Sequence, residues 1–244
     1  MSNPLPRVIG HRGAASHAPE NTLAGLRKAA ELGAPWVEFD VRLTADKVAI
    51  LHHDDSLKRT AGRNRAAAAM RYAEIAELEA GAWFGESFRG EAIPSLTASI
   101  ALLGELGLGA NIEIKPAAGQ EAETARIALE IMRAEWPQSL PPPLITSFKP
   151  QSLQAAQESA PEIPRGLLLK ELKEGWRKQA ERLDCVSIHL SRQKTSKAAI
   201  DLVHKAGYAL AVYTVNDPRE AARLYDWGAD CIITDSPELL LPLA

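Results

Sequence analysis

Charged side chains suited to metal binding or proton transfer crowd the stretch VEFDVRLTADKVAILHHDD, residues 37–55. Its first half alternates apolar and charged residues, so a β-strand would place Glu38, Asp40 and Arg42 on one face. The stretch ends in two histidines and two aspartates, and histidine is the side chain that exchanges protons most readily near neutral pH. A strand with one solvent-exposed face would explain the alternation without any function. The surrounding elements must therefore decide between an exposed face and a functional site.

Two other short runs carry chemically similar side chains at the same period. The run ANIEIK at 110–115 sets Asn111, Glu113 and Lys115 opposite two isoleucines. The run RVIGHRG at 7–13 ends in His11 and Arg12. If the three runs are strands that share one interior, they bring carboxylates, cations and an imidazole into a confined space.

The order of the elements predicts how these runs meet. Eight short apolar runs alternate with helical patterns, and such alternation favours parallel strands joined by crossover helices. The runs are RVIGHRG, WVEFDVRL, ANIEIK, PLITSF, RGLLL, CVSIHL, YALAVYTV and DCIITD. Eight units within 244 residues predict an α/β fold, the (β/α)₈ TIM barrel, as a single domain over residues 1–244.

One segment interrupts this rhythm after the second strand. Residues from about 54 to 95 show no clear strand–helix unit, yet they contain Trp83, Phe84 and Phe88 among glycines. Long insertions in compact domains are usually functional lids or disordered segments. The aromatic content favours a packed, lid-like insertion.

In a barrel, one face of each strand meets the helices and the other points inside, so Glu38, Asp40 and Glu113 should converge. Each buried charge costs several kcal/mol, on the order of the effective penalty for a desolvated ion. A salt-bridge network with Arg12, Arg42 and Lys115 could compensate them, but a bound cation would do so better. Oxygen-only ligands favour one hard divalent cation; Mg²⁺ is the first choice, and Ca²⁺ or Mn²⁺ would also fit.

Two histidines are candidates for acid–base catalysis. His11 should lie at the C-terminal end of the first strand, where barrel active sites are found, and His53 follows the second strand. His52 is ambiguous, because a register slip of one residue would exchange its face with that of His53. We interpret His17 and His204 as structural or solvent-facing.

Composition bears on partners and compartment. A net charge of −3 and a pI near 6.1 argue against nucleic acid as a partner. Cys185 and Cys231 show no CxxC spacing and suggest a reducing compartment. The start MSNPLPRVIG shows no secretory pattern and no apolar run could span a bilayer, so we expect a cytoplasmic protein without stable membrane association. The oligomeric state is not defined by these features.

The combined motifs resemble those of the glycerophosphodiester phosphodiesterases. They are GHRG at 10–13, PENT at 19–22, EFD at 38–40, HDDSLKRT at 53–60, NIEIK at 111–115, YTVN at 213–216 and CIITD at 231–235. They cover nearly the whole chain in the family's order. PRGLLL, CVSIHL and YTVN are most similar to cytosolic bacterial members that act beside glycerol-3-phosphate uptake.

The resemblance implies roles for individual residues. His11 and His53 match the family's catalytic acid–base pair, and Arg12 and Lys115 match the residues that hold the substrate phosphate. The residues that match its metal ligands are Glu38, Asp40 and Glu113. Tyr213 stands where many members have tryptophan, in the wall against the glycerol.

The implied reaction is metal-dependent hydrolysis of a glycerophosphodiester, a deacylated phospholipid head group, to sn-glycerol 3-phosphate and an alcohol. The partner is then a water-soluble small molecule. Two other classes remain open: a lyase with Lys115 as a Schiff-base lysine, and a barrel that binds phosphoesters without turnover. A related enzyme acting on lysophospholipids is less favoured, because no hydrophobic surface helix is evident.

Overall fold

The computed structural model describes residues 5–244, and its centre is a closed ring of parallel strands. The strands are β1 (Val8–His11), β2 (Trp36–Leu43), β3 (Ala49–Leu51), β4 (Gly109–Ile114), β5 (Leu144–Ser147), β6 (Arg165–Leu169), β7 (Ser187–Ser191), β8 (Ala209–Tyr213) and β9 (Cys231–Thr234). Strand β1 pairs in parallel with both β2 and β9, which closes the ring. Strand β3 lies outside the ring, antiparallel to β2.

Helices connect the strands. They are α1 (Leu23–Glu31), α2 (Lys58–Ala61), α3 (Tyr72–Ile75), α4 (Leu96–Leu106), α5 (Glu121–Glu135), α6 (Pro150–Ser159), α7 (Trp176–Arg182), α8 (Lys197–Lys205), α9 (Pro218–Asp226) and α10 (Pro237–Leu240). The Thr22, Ser95 and Ser196 hydroxyls each accept a hydrogen bond from a backbone N–H in the first turn of α1, α4 and α8. These caps satisfy backbone donors that would otherwise be unpaired, so each helix begins where its cap residue stands.

The alternation along β2 separates a packing face from an interior face. Val37, Phe39 and Val41 are buried in the main core, between the ring and its helices. The ring interior has its own apolar cluster, which includes Ile9 two residues before the end of β1. The polar side chains of β2 and β4 therefore face the same enclosed space from neighbouring strands, as the period of two requires.

The first loop lies directly against the end of β1 because glycine allows it. A Cβ on Gly10 would stand 2.2 Å from the Gly13 carbonyl oxygen, and one on Gly13 would stand 2.5 Å from the Gly25 carbonyl carbon. Gly13 also has φ +93°, which other residues rarely adopt. The sequence GHRG thus lets the chain turn sharply at the strand end and holds its histidine and arginine at the barrel mouth.

The segment between β3 and α4 packs around a small cluster of its own. Ile50, Leu57, Met70, Ile75 and Ile93 are among its buried members. Three of its aromatic rings pack edge to face: Trp83 and Phe84 are 5.7 Å apart between centroids, and Phe84 and Phe88 are 5.4 Å apart.

The closed ring of parallel strands with outer helices confirms the predicted (β/α)₈ TIM barrel. Each of the eight predicted runs overlaps one strand of the ring, and β3 is the additional strand. Within residues 5–244, no helix combines the length and the apolar character that crossing a bilayer requires.

Candidate active site

Three buried carboxylates meet at the barrel mouth: Glu38, Asp40 and Glu113. One oxygen from each lies within 4.8 Å of the others, and the residues are 5%, 1% and 8% exposed. Asp40 and Glu113 are register partners on β2 and β4, and Glu38 lies two residues earlier on the same face. A single hard cation accepts several carboxylate oxygens at such spacing, so the triad can hold a metal ion.

The electrostatics of the triad are unbalanced without a cation. Burial and the charge of Asp40 raise the pKa of Glu113 to about 8, and the same two causes raise the pKa of Glu38. Burial would also raise the pKa of Asp40, but Lys115 and Arg12 outweigh it and hold that pKa well below its usual range. Lys115 Nζ lies 2.9 Å from Asp40 Oδ1 and 3.1 Å from Glu113 Oε1. Arg12 and Lys115 thus favour the ionised form of Asp40, whereas burial and the charge of Asp40 oppose ionisation of Glu38 and Glu113.

Asn21 holds the central carboxylate in place. Its Nδ2 donates to Asp40 Oδ2 at 2.9 Å, and the Asp40 backbone N–H donates to Asn21 Oδ1 at 3.1 Å. Asn21 has φ +56°, a left-handed conformation that asparagine tolerates better than most residues. Arg12 Nε lies 3.3 Å from the same Oδ2. These contacts fix the direction in which Asp40 presents its oxygens.

Among the described residues, Arg42 forms no ion pair with the triad, so of the three cationic side chains suggested to compensate it only Arg12 and Lys115 do so. Its Nε and Nη2 donate to the His53 carbonyl oxygen at 2.9 and 2.7 Å, and its Nη1 donates to Asp55 Oδ1 at 2.7 Å. The hairpin of β2 and β3 carries the chain back past Arg42, so backbone acceptors lie closer to it than the carboxylates do. Arg42 therefore anchors the loop that carries His53.

His11 is oriented by a carboxylate at the end of another strand. Its Nδ1 lies 2.6 Å from Asp235 Oδ1, and Asp235 Oδ2 accepts from Asn216 Nδ2 at 2.6 Å. Burial lowers the pKa of His11, but the bond to Asp235 and the charge of Glu38 outweigh it, and the pKa is raised. Because the bond to Asp235 occupies Nδ1, Nε2 remains available, 3.9 Å from Glu38 Oε2.

His53, in the loop that follows β3, has a matching arrangement. Its Nδ1 lies 2.7 Å from Asp54 Oδ1. Burial lowers its pKa and, with Arg12 and Lys115, outweighs the opposing charge of Asp40. Each of these two histidines thus has Nδ1 on an aspartate, and no described residue forms a hydrogen bond with its other ring nitrogen.

The adjacent histidines differ in burial and in their partners. His52 is 3% exposed, and its Nε2 lies 3.3 Å from the Ser56 carbonyl oxygen inside the loop. His53 has a side chain that is 30% exposed and electrostatic interactions with Asp40, Arg12 and Lys115. His17 and His204 bind Glu238 and Asp230 away from the triad.

Tyr213 lies in the wall of a cavity of about 700 Å³ at the ends of β7 and β8. Its hydroxyl donates to the Leu169 carbonyl oxygen at 2.9 Å, and its ring packs edge-on against Phe148. Ser191 and Asn216 also line the cavity, and Asn216 is hydrogen-bonded to the aspartate that orients His11. Through this contact the cavity adjoins the histidine end of the site.

The two aspartates that bind the histidines were not predicted from the sequence, although both lie within motifs that resemble those of the family. Asp54 follows His53 directly in HHDD, and Asp235 ends CIITD just after β9. The available signal was position: a carboxylate immediately after a barrel strand reaches the same mouth as the catalytic candidates. Asn216, in YTVN, could have been found in the same way.

Comparison with known proteins agrees with this geometry. The model of the glycerophosphoryl diester phosphodiesterase family matches residues 11–239. A glycerophosphodiester phosphodiesterase of Caldanaerobacter subterraneus subsp. tengcongensis is 34% identical over 241 residues, 97% of this chain and 96% of the relative.

Solved structures give the same result. An Oleispira antarctica phosphodiesterase in complex with the product sn-glycerol-3-phosphate matches with a TM-score of 0.95 and 36% identity, over 98% of this chain and 96% of that one. A Thermotoga maritima glycerophosphodiester phosphodiesterase matches with a TM-score of 0.75 and 29% identity, over 97% of both chains.

A TIM barrel with a carboxylate triad and two aspartate-bound histidines at its mouth is an arrangement suited to hydrolytic chemistry on an anionic ester. The chain belongs to the glycerophosphoryl diester phosphodiesterase family, as the match over most of its length and the 34% identical relative show. It is accordingly an enzyme of the phosphoric diester hydrolase class.

Proposed function

We propose that this protein hydrolyses glycerophosphodiesters to sn-glycerol 3-phosphate and an alcohol. The observation that carries the proposal is the convergence of the triad, two cations and two oriented histidines on one barrel mouth. The Oleispira antarctica relative, which was solved with sn-glycerol-3-phosphate as its product, supports the same product here.

Glu38, Asp40 and Glu113 would hold one divalent cation, with Mg²⁺ preferred and Ca²⁺ or Mn²⁺ as alternatives. The donor set fits, because it consists of three carboxylates and two of them have raised pKa values that a cation would reverse. When bound, such an ion supplies Lewis-acid stabilisation of phosphoryl oxygens.

Arg12 and Lys115 would bind the phosphodiester and stabilise the charge that grows in the transition state. Both side chains reach the triad: Lys115 contacts two of its members and Arg12 one. Their charges are fixed, because the pKa of each is raised by the neighbouring carboxylates against the effect of burial. For Lys115 this also argues against a Schiff-base lyase, whose lysine must be neutral to attack a carbonyl group.

His11 and His53 would share the proton transfers. One takes the proton from the attacking hydroxyl group or water, and the other protonates the leaving alkoxide. The bonds to Asp235 and Asp54 support this role, because each carboxylate fixes its imidazole with Nδ1 protonated and the other nitrogen free. Such proton transfer contributes about 10²–10⁴-fold to the rate.

Three further assignments complete the proposal. The protein is one domain, in which the segment at about 54–95 forms a lid over the substrate end of the mouth. Tyr213 and the polar cavity beside it form the wall against the glycerol moiety. The cytoplasm is the proposed compartment, because Cys185 and Cys231 are buried free thiols.

Substitution of each histidine tests the assignment. His11→Ala and His53→Ala should each lower kcat for glycerophosphocholine by about 10²-fold or more, while the unfolding temperature stays near that of the parent. His204→Ala, which removes a histidine on α8, is the matched control and should keep full activity. Near-normal turnover by both active-site variants would refute the proposed mechanism.

A further inference from the structure

A chain of ionic hydrogen bonds runs from His53 to Arg12, and two of its side chains, Arg59 and Glu20, have no role in the proposed mechanism. It starts at Asp54, which holds His53 Nδ1 through Oδ1. Its second oxygen, Oδ2, accepts from Arg59 Nε at 2.7 Å. Arg59 lies in α2, at the start of the insertion. The carboxylate that orients the imidazole is therefore itself fixed by an arginine.

The same arginine reaches across to the first loop. Arg59 Nη1 donates to Glu20 Oε2 at 2.6 Å, and Nη2 donates to Glu20 Oε1 at 2.8 Å. Glu20 Oε1 also accepts from Arg12 Nη1 at 2.7 Å. Arg59 thus uses all three of its nitrogens, one on the carboxylate behind His53 and two on the carboxylate behind Arg12.

The bonded carboxylates are ionised, so the chain carries alternating full charges. Hydrogen bonds from Arg59 lower the pKa of Asp54, and, against the effect of burial, they also lower the pKa of Glu20. The Glu20 side chain is 11% exposed and that of Arg59 is 43% exposed. Ion pairs with a solvent-exposed partner typically add little to stability. The planar guanidinium of Arg59, with hydrogen bonds from all three nitrogens, instead fixes the positions of the Asp54 and Glu20 carboxylates relative to each other.

We propose that Arg59 is a positioning residue, which orients His53 through Asp54 for proton transfer and Arg12 through Glu20 for phosphate binding. This inference rests on the proposed function. It makes the insertion part of the active site, because α2 contributes the residue that connects Asp54, which binds His53, with Glu20, which binds Arg12. A displacement of about 1 Å at a reacting group can cost 10²-fold in rate, so such an orienting contact has a large effect.

The insertion contains a matched control. Arg89 binds Glu86 through Nε at 2.6 Å and through Nη2 at 2.7 Å, in an exposed pair three residues apart. Like Arg59, Arg89 is an arginine of the insertion that binds a carboxylate through two nitrogens. Unlike Arg59, it has no contact with a candidate catalytic side chain among the described residues. Arg89→Ala therefore reports the cost of losing an arginine–carboxylate pair from the insertion.

The experiment compares Arg59→Ala, Asp54→Ala, their double variant and Arg89→Ala. The measurements are kcat for glycerophosphocholine, the inhibition constant of glycerol 3-phosphate and the unfolding temperature. Asp54→Ala should lower kcat by about 10–100-fold and leave the inhibition constant unchanged. Arg59→Ala should lower kcat within the same range. It should also raise the inhibition constant of glycerol 3-phosphate, because Arg12 loses the contact that orients it. The double variant should lose less kcat than the product of the two single losses, since both substitutions act on His53 through one path and only the lost support of Arg12 is additional.

Several results would overturn the inference while the parent enzyme remains active. One is that Arg59→Ala is as active as Arg89→Ala, and another is that Arg59→Ala leaves the inhibition constant of glycerol 3-phosphate unchanged. The third is that the kcat loss of the double variant equals the product of the two single losses. If the parent protein itself released no glycerol 3-phosphate, the proposed function would fail instead. The two failures are therefore distinguishable.

Discussion

Glu113→Gln should stabilise the metal-free protein, although it removes an active-site residue. In the folded protein, burial and the charge of Asp40 raise the pKa of the Glu113 carboxyl from its ordinary value of 4.5 to about 8. When folding raises the pKa of an acid, the free energy of unfolding falls as the pH rises above the pKa of the unfolded state. It stops falling once the pH passes the pKa of the folded state. Between pH 4.5 and 8 the folded chain must therefore keep a proton that the unfolded chain releases.

The pKa shift gives the magnitude. At pH 7 the unfolded carboxyl is about 2.5 pH units above its pKa, and each unit corresponds to about 1.36 kcal/mol. Because glutamine imitates the protonated carboxyl and cannot ionise, its advantage over Glu113 should grow by about 3 kcal/mol between pH 4.5 and pH 7. For a chain of this size, that corresponds to roughly 6–12 °C in unfolding temperature.

The assay is thermal unfolding in EDTA at the two pH values, followed by Mg²⁺ addition at pH 7. The ion should raise the unfolding temperature of the parent protein, since it binds the folded state, and should raise that of Glu113→Gln much less. Glu105→Gln, at a side chain that is 67% exposed on α4, serves as control and should follow the parent. A stability gap between Glu113→Gln and the parent that does not widen from pH 4.5 to pH 7 would refute the electrostatic reasoning.

Substitutions at three residues test other parts of the site. Asp235→Asn removes the charge that orients His11 and should lower kcat by about 10–100-fold without unfolding the protein; an unchanged kcat would contradict the orienting role. Gly10→Ala would place a methyl group 2.2 Å from a backbone oxygen of the first loop, and should lower the free energy of unfolding by about 1–3 kcal/mol in urea titrations; a neutral effect would show that the loop can move away. Tyr213→Phe loses only the hydrogen bond to the Leu169 carbonyl oxygen, so it should lower the free energy of unfolding by about 1 kcal/mol. It should also change KM less than Tyr213→Ala does. Equal KM changes in the two variants would show that the ring does not contact the substrate.

The alternation of side chains made the triad predictable. A period of two along Glu38, Phe39 and Asp40 allows only one face to be apolar, and eight alternating units determine where the other face must point. Glu113 follows by the same reasoning, because parallel neighbours place equivalent positions side by side. These predictions depend on local pattern and fold class, which both follow from short stretches of sequence.

Contacts between distant segments were not predictable in this way. Asp235 meets His11 across 224 residues, so the contact exists only once the last strand of the ring pairs with the first. The distinction between His52 and His53 required the end of β3 at Leu51, because a shift of one residue would exchange their faces. Arg42 was correctly expected on the polar face, but its partner depends on where the hairpin returns.

The most direct test of the account is release of glycerol 3-phosphate from glycerophosphocholine by metal-stripped protein, before and after titration with Mg²⁺, Ca²⁺ and Mn²⁺. We expect no release without metal, restored release with at least one of these ions, and loss of that release in Glu113→Gln but not in Glu105→Gln. Release of glycerol 3-phosphate by the metal-free protein, or undiminished release by Glu113→Gln, would contradict the central role assigned to the carboxylate triad.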